Sequence, residues 1–159
     1  MHDNAFGISI PNASLARFHE IANRELKDLD FGELLYVVDF ARDSYADDLK
    51  AIISDLAQYE FVWGQQNSEP IILITDINLT KNDISIIGKN KDTLRFQVNG
   101  ITYIKFFAKE LIEKINKING VMRLTIVGTA NLNEWNFKIT PQVLIKDLDI
   151  EEVGYDLLF

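Results

Sequence analysis

The sequence predicts an α+β protein: a mainly antiparallel, five-stranded barrel preceded by an N-terminal α/β segment. Three observations support this fold class. The first 60 residues hold two amphipathic helical patterns, and from Pro70 onward the chain changes to short β-rich runs. One further helical pattern, over residues 108–117, interrupts those runs. With 159 residues, 47% of them hydrophobic, the chain is long enough to bury a core.

The N-terminal segment alternates strands and helices. Residues 5–10 form a short apolar run that ends at a proline, which predicts a strand. Residues 13–27 place their apolar side chains on one face of a helix. Residues 34–40 have strand character, and a second helix is predicted from about residue 43 to residue 58.

The β-rich part contains short strands around one helix. Asn99-Gly100 is a strong signal for a two-residue hairpin, and Asn119-Gly120 ends the helix of residues 108–117. The predicted strands cover residues 71–79, 84–87, 94–98, 101–107, 121–130 and 137–150. A helix that precedes the closing strand pair is the arrangement of a five-stranded oligonucleotide-binding barrel. Strand alternation alone also fits other small barrels.

Charge is unevenly distributed along the chain. The net charge of −8 argues at first against nucleic acid, because phosphates repel an acidic surface. Residues 79–125, however, carry nine basic and four acidic side chains, whereas both flanking segments are acidic. Because salt screens charges over about 8–10 Å, a bound strand senses this local excess more than the total. A solvated basic face is the alternative interpretation.

Composition also narrows the location of the protein. The chain has no cysteine, which rules out disulfides and thiolate zinc sites and fits a reducing cytoplasm. No stretch approaches the roughly 18 apolar residues of a membrane helix. We therefore expect a cytoplasmic protein without membrane contact.

Three short motifs near the end of the chain carry a family resemblance. They are Asn133-Glu134-Trp135-Asn136, then Pro141-Gln142, then Ile145-Lys146-Asp147. This series resembles the C-terminal oligonucleotide-binding region of RecJ-type single-strand-specific exonucleases, which often close on an N-E-W-N…P-Q…I-x-D pattern. In that reading Asn133–Asn136 form a polar turn between two strands, and the Trp135 indole either stacks on a base or caps the barrel core.

The N-terminus carries a second part of the resemblance. His2, Ala5 and Gly7 are similar to the tail of the family's DHH-associated domain, although the two glycines that precede the histidine in the family are missing here. Met1 stands directly before His2, so we expect that the chain starts inside a longer protein or is a detached fragment. The resemblance implies that residues 1–60 are the domain tail and linker helices, and that residues 61–159 are the oligonucleotide-binding domain.

The family's activity enters as an implication of the resemblance. It implies a 5′-to-3′ single-stranded DNA exonuclease of recombination and repair that depends on manganese or magnesium. The family's metal centre needs an Asp-His-His motif, and this chain has only His2 and His19. We therefore expect no catalytic or metal-binding residues, no cofactor and no nuclease activity in this chain alone. Expected partners are single-stranded DNA, the catalytic DHH core of a parent protein, and single-strand-binding or other repair proteins.

The candidate DNA contacts combine basic and aromatic side chains, because cations attract phosphates and rings stack on bases. In the same region Phe96 and Phe106 are predicted to lie in the core. The candidates are Lys89, Lys91, Arg95, Tyr103, Lys105, Arg123, Trp135 and His2.

The sequence leaves three functions open. The first is single-stranded DNA binding by the C-terminal part of a RecJ-like exonuclease. The second is a protein-interaction barrel that docks a partner or the rest of the enzyme, for which the acidic ends would suit a basic surface. The third is a self-contained single-strand-binding protein, which fits less well because the first 60 residues resemble part of a neighbouring domain.

Overall fold

The computed structural model describes residues 9–27, 36–64, 66–135 and 137–153, and of Trp135 only the backbone. The chain divides into two compact units, Met1–Leu35 and Tyr36–Phe159. Most of the strand predicted over residues 5–10 lies outside the described residues. None of the helices in the described ranges is long and apolar enough to cross a membrane.

The first unit contains helix α1, Leu15–Leu26, which follows a 3-10 turn at Asn12–Ser14. This confirms the helix predicted over residues 13–27. Its apolar side chains include Leu15, Phe18 and Ile21, and none of its residues is buried.

The described part of the second unit contains seven strands and two α-helices. Residues 36–60, which the sequence assigns to the linker region, contribute the first strand and the first helix to it. In chain order the elements are β1 Phe40–Asp43, α2 Leu49–Gln58, β2 Ile72–Leu79, β3 Ser85–Ile87, β4 Thr93–Val98, β5 Ile101–Lys105, α3 Lys109–Lys117, β6 Val121–Trp135 and β7 Lys138–Val153.

All seven strands form one sheet in the order β1-β2-β6-β7-β5-β4-β3. Four of the neighbouring pairs are antiparallel, whereas β1–β2 and β5–β7 are parallel. The α+β class is confirmed, but the prediction of a mainly antiparallel five-stranded barrel is wrong in detail, because the sheet is mixed and has seven strands. One extra strand is β1, which α2 connects to β2 as a parallel crossover. The other arises because a 3-10 turn at Lys81–Asp83 separates β2 from β3.

The chain path shows that this sheet curves. Strands β2 and β3 are five positions apart in the sheet, which would place them about 24 Å apart if the sheet were flat. Residues 80–84 alone connect them, so Leu79 and Ser85 are six residue steps apart and can be separated by at most about 20–22 Å. The 3-10 turn at Lys81–Asp83 shortens this distance further. The sheet must therefore curl so that β3 approaches β2, as in a barrel.

The concave side of the sheet holds the core. Alternate residues of β2 and β6, such as Ile72, Ile74, Leu124 and Ile126, are fully buried, as strand alternation requires. Helices α2 and α3 add Leu49, Ile53, Ile112 and Ile115, and α2 packs against β6 and β7.

The last hairpin is longer than the sequence predicts. Residues 133–136 were expected to form a polar turn, but β6 continues to Trp135, which pairs with Lys138. The chain therefore reverses between Trp135 and Lys138. Extended pairing along β7 satisfies backbone groups that a turn would expose, which outweighs the low strand preference of asparagine.

Candidate nucleic-acid interface

A groove lies on the convex side of the sheet, facing away from the core. Five strands, β3 to β7, contribute side chains to it. This outer groove has a volume of ≈ 320 Å³ and is lined by Ile87, Arg95, Thr102, Ile104, Asn133 and Gln142.

The β4–β5 hairpin determines which side chains face the outer groove. Asn99 and Gly100 both have positive φ, 50° and 75°, as a two-residue hairpin of type I′ requires. The resulting register places Arg95 opposite Ile104 and Phe96 opposite Tyr103. Because side chains alternate along a strand, Arg95 and Ile104 face outward, and Phe96 and Tyr103 face the core.

Arg95 supplies the positive charge of the outer groove. Its side chain is exposed, and within the described ranges it has no ion pair or side-chain hydrogen bond. The half-buried Ile104 and the exposed Ile87 place apolar surface beside it. A guanidinium beside an apolar wall can bind a phosphate while a base rests on the wall.

Polar side chains with amide or hydroxyl groups form the rest of the outer groove. Gln142 is only 8% exposed, and its Nε2 donates a hydrogen bond to Asn131 Oδ1 at 2.5 Å. Its Oε1 is buried and has no hydrogen-bond partner among the residues that the structure describes. Thr102, which pairs with Gln142 across β5 and β7, is 7% exposed. The outer groove therefore offers polar groups for hydrogen bonding.

Residues 88–92 connect β3 to β4 directly after groove-lining Ile87. Lys89 and Lys91 are exposed in this loop, and neither forms an ion pair with another described residue. Positive φ values of 88° at Gly88 and 53° at Lys91 turn the chain, and Lys91 N donates to Gly88 O at 3.1 Å. The loop thus adds two cations next to Arg95.

Two other basic candidates lie elsewhere. Lys105 is half-buried, and its Nζ donates a hydrogen bond to the carbonyl oxygen of Lys146. Arg123 lies 3.2 Å from Glu151 Oε2 and 3.6 Å from Asp76 Oδ1, so carboxylates on neighbouring strands compensate its charge. Arg123 also precedes Asn131 by eight residues of β6, or about 26 Å along the strand. The structure does not bring either residue into the outer groove.

The aromatic predictions need two corrections. Tyr103 was a candidate contact, but it is fully buried and its ring stacks on Phe96 with centroids 4.9 Å apart. Burial also raises the pKa of the Tyr103 hydroxyl. Phe96 lies in the core, as predicted, whereas Phe106 is 51% exposed because β5 ends at Lys105 and the chain then turns toward α3.

The structure describes the last two candidates, His2 and Trp135, only in part or not at all. His2 lies outside the described residues. The backbone of Trp135 ends β6, two residues after groove-lining Asn133, and its side chain is not described. Beyond it, Phe137 is fully exposed and has a positive φ of 60°. The sequence analysis did not identify Phe137, Thr102, Ile104 or Gln142. The pairing register that follows from the Asn99-Gly100 hairpin would have placed Ile104 opposite Arg95 and Thr102 on the same face.

No group of three or more His, Asp or Glu side chains that could hold a metal ion occurs in the part of the chain that the structure describes. These residues therefore do not fit a divalent-metal centre.

Comparisons with known proteins identify relatives of this chain. Residues 46–147 match the profile of the family described as the RecJ OB domain. The chain is 34% identical over 152 residues to the SPbeta prophage-derived protein YorK of Bacillus subtilis (strain 168), whose name assigns it as a single-strand DNA-specific exonuclease. That match covers 94% of this chain and 26% of YorK.

Two further proteins extend the comparison. The single-stranded-DNA-specific exonuclease RecJ of Bacillus subtilis (strain 168) is 29% identical over 143 residues, covering 86% of this chain and 17% of that protein. Crystal structures of RecJ from Thermus thermophilus with Mn2+ and with Mg2+ superpose with TM-scores of 0.55 and 0.53, at 14% and 17% identity. Each match covers about nine tenths of this chain, 92% and 91%, and 21% of RecJ, and at that identity it shows the fold alone. The chain thus spans about a quarter or less of these relatives.

Proposed function

The chain belongs to the RecJ OB domain family, and we propose that its outer groove and the adjoining loop of residues 88–92 bind single-stranded DNA. The observation that carries this proposal is the guanidinium of Arg95, which has no ion-pair partner in the described ranges and lies among apolar and amide side chains. Phosphates need cations, and unstacked bases need apolar surface and hydrogen-bonding groups. All of these are present on one face of the sheet.

The position of the outer groove supports the same assignment. Oligonucleotide-binding barrels bind their ligands on the face of the second and third strands and on the flanking loops. If β2 and β3 count as one interrupted first strand, β4 and β5 are the second and third. Residues 88–92 and the β6–β7 reversal are then the two flanking loops.

The names of the relatives support a proposal for the activity of the parent protein. We infer that the bound strand is the substrate of a RecJ-like exonuclease, whose catalytic DHH core would be a partner of this domain. Mn2+ or Mg2+, with which RecJ has been crystallised, would supply the hydrolytic chemistry in that core. The described residues of this chain would bind the strand, and the catalytic DHH core would hydrolyse it.

Charge replacement tests the DNA-binding proposal. The variant Lys89→Gln, Lys91→Gln, Arg95→Gln should bind a labelled single-stranded oligonucleotide much more weakly than the wild type in a fluorescence anisotropy titration. Each lost phosphate contact should also reduce the slope of log K against log salt by about 0.7.

The matched control changes the net charge equally at a distance from the outer groove. Lys50→Gln, Lys114→Gln, Lys117→Gln removes three exposed cations from α2 and α3. We expect it to bind like the wild type. Equal losses in the two triple variants would mean that DNA senses only the total charge, and the outer groove would not be the site.

An exposed apolar surface favours protein docking as a second candidate function. Tyr59 and Phe61 follow α2 and are 54% and 83% exposed, and Phe61 lines a cavity with Leu132 and Ala57. Surfaces of this kind mark protein contacts. The substitution Phe61→Ser should leave DNA affinity unchanged, since a loss would place the strand on this surface.

A further inference from the structure

We propose that the outer groove seats one base of the bound strand and prefers a base with an exocyclic amino group, which Gln142 Oε1 recognises. This inference rests on the proposed DNA binding and adds a base preference to it. Its starting point is the buried Oε1 atom, which has no hydrogen-bond partner within the described chain. Buried polar atoms are almost always paired, so an unpaired one on a side chain that lines a groove indicates a missing partner.

Asn131 determines how the Gln142 amide is oriented. The Nε2 group donates one of its two N–H groups to Asn131 Oδ1 at 2.5 Å, which fixes the orientation of the amide. The acceptor Oε1 is then the amide atom that lacks a partner among the described residues.

Neighbouring side chains define a base-sized site. Thr102 lies opposite Gln142 in the register, is 7% exposed, and its hydroxyl can donate or accept a second hydrogen bond. Ile87 and Ile104 provide apolar surface for the ring, and Arg95 provides the cation for its phosphate. The cavity of ≈ 320 Å³ has room for a single base.

Thymine and 5-methylcytosine are the two bases that best test recognition of an exocyclic amino group. Both pyrimidines carry the same methyl group, but thymine has an acceptor oxygen at position 4 where 5-methylcytosine has an amino donor. An acceptor such as Gln142 Oε1 binds the amino group and repels the oxygen. The outer groove should therefore favour 5-methylcytosine.

The experiment compares two oligonucleotides of equal length, one of thymidine and one of 5-methyldeoxycytidine, at mildly alkaline pH where cytosine is neutral. The wild-type chain should bind the second about 2- to 12-fold more tightly, which is the contribution of one hydrogen bond. Gln142→Met keeps the size of the side chain and removes its hydrogen-bonding groups, so it should bind both oligonucleotides equally. Gln97→Met, on the same face of β4 but outside the groove lining, should keep the preference.

The outcomes separate the two proposals. Failure to bind either oligonucleotide at low salt would overturn the DNA-binding function itself. Equal binding by the wild type, or tighter binding of thymidine, would leave DNA binding intact and overturn the base preference. A base preference that persists in Gln142→Met would show that Gln142 does not recognise the base. The wild-type comparison needs no variant, so a folding defect in Gln142→Met would not affect it.

Discussion

Tyr103 is the residue at which the core carries an unsatisfied polar group. Its hydroxyl is buried and has no hydrogen-bond partner among the described residues. Leaving a polar group unpaired costs about 1–3 kcal/mol. Tyr103→Phe removes the hydroxyl and keeps the ring stacked on Phe96, so we expect the free energy of unfolding to rise by about 1 kcal/mol, measured by chemical denaturation. DNA affinity should not change.

Alkaline pH provides a second readout of the same substitution. Burial raises the pKa of Tyr103 above its usual value of 10.0, so between the two pKa values the unfolded chain loses a proton that the folded chain keeps. Stability is therefore present below about pH 10 and falls as the pH rises further. Tyr103→Phe should flatten this fall, whereas the control Tyr59→Phe, at an exposed tyrosine, should not. A destabilised Tyr103→Phe protein would show that the hydroxyl has a partner.

The same residue shows what the sequence could and could not predict. Phe96 was correctly assigned to the core, and the Asn99-Gly100 hairpin was correctly identified. Together they fix Tyr103 opposite Phe96, so its burial was predictable by strand parity. The pairing of Arg123 with Asp76 and Glu151 was not, because those residues are far apart in the chain and meet only across three strands.

At the scale of elements, the β6–β7 hairpin depends on one glycine. Gly128 sits at a register shift between the two strands, and a Cβ there would lie 2.7 Å from Leu144 O and from Val143 Cγ1. Because Leu144 O is a backbone atom, the strand itself would have to move. Gly128→Ala should therefore cost about 1–3 kcal/mol of unfolding free energy or more.

Gly64 provides the control for this prediction. A Cβ at Gly64 would meet no atom within 4 Å, so Gly64→Ala should leave the thermal midpoint nearly unchanged. Equal effects of the two substitutions would contradict the close approach of β6 and β7.

The turn that closes the sheet has its own stabilising contacts. Asp83 Oδ2 accepts hydrogen bonds from Thr80 N at 2.8 Å and from Thr80 Oγ1 at 2.7 Å, which holds the 3-10 turn between β2 and β3. The Thr80 hydroxyl and then its backbone N–H lower the pKa of Asp83. Stability from this carboxylate is therefore present above the usual carboxyl pKa of 3.8 and lost as the pH falls through the lower, folded value.

Asp83→Asn should lower stability by about 1 kcal/mol at neutral pH, as capping substitutions do, and the difference from the wild type should shrink in acid. Urea denaturation at neutral and acidic pH measures both values. Asp149→Asn, at an exposed position of β7, is the control and should have little effect at either pH. A difference that grows in acid would show that the carboxylate does not stabilise the turn.

Most elements could be predicted from local patterns, whereas their lengths could not. Helical periodicity and the Asn99-Gly100 signal located α2, α3 and the β4–β5 hairpin within a few residues. The sequence predicted a polar turn at residues 133–136, yet pairing with β7 keeps residues 133–135 in the sheet. Local propensity gives way there to tertiary pairing.

At the scale of the whole molecule, the number of strands and their order depend on contacts between distant residues. No local pattern indicates that β1 adds to β2, or that β3 returns to the opposite edge of the sheet. These contacts decide which basic residues share a face. The local β3–β4 hairpin already brings Arg95 near the loop of Lys89 and Lys91. The order of the strands separates Arg123 from that loop, although all four residues belong to the basic segment of residues 79–125.

The central claim is that single-stranded DNA binds in the outer groove, on the outer face of strands β3 to β7. Titration of the isotopically labelled chain with a single-stranded oligonucleotide, followed by backbone amide NMR shifts, locates the contact directly. We expect the largest shifts at Ile87, Lys89, Arg95, Thr102 and Gln142, with little change at Arg123 and Glu151. Shifts that centre on Arg123, or on Tyr59 and Phe61, and that leave the amides of the outer groove unchanged would contradict the claim.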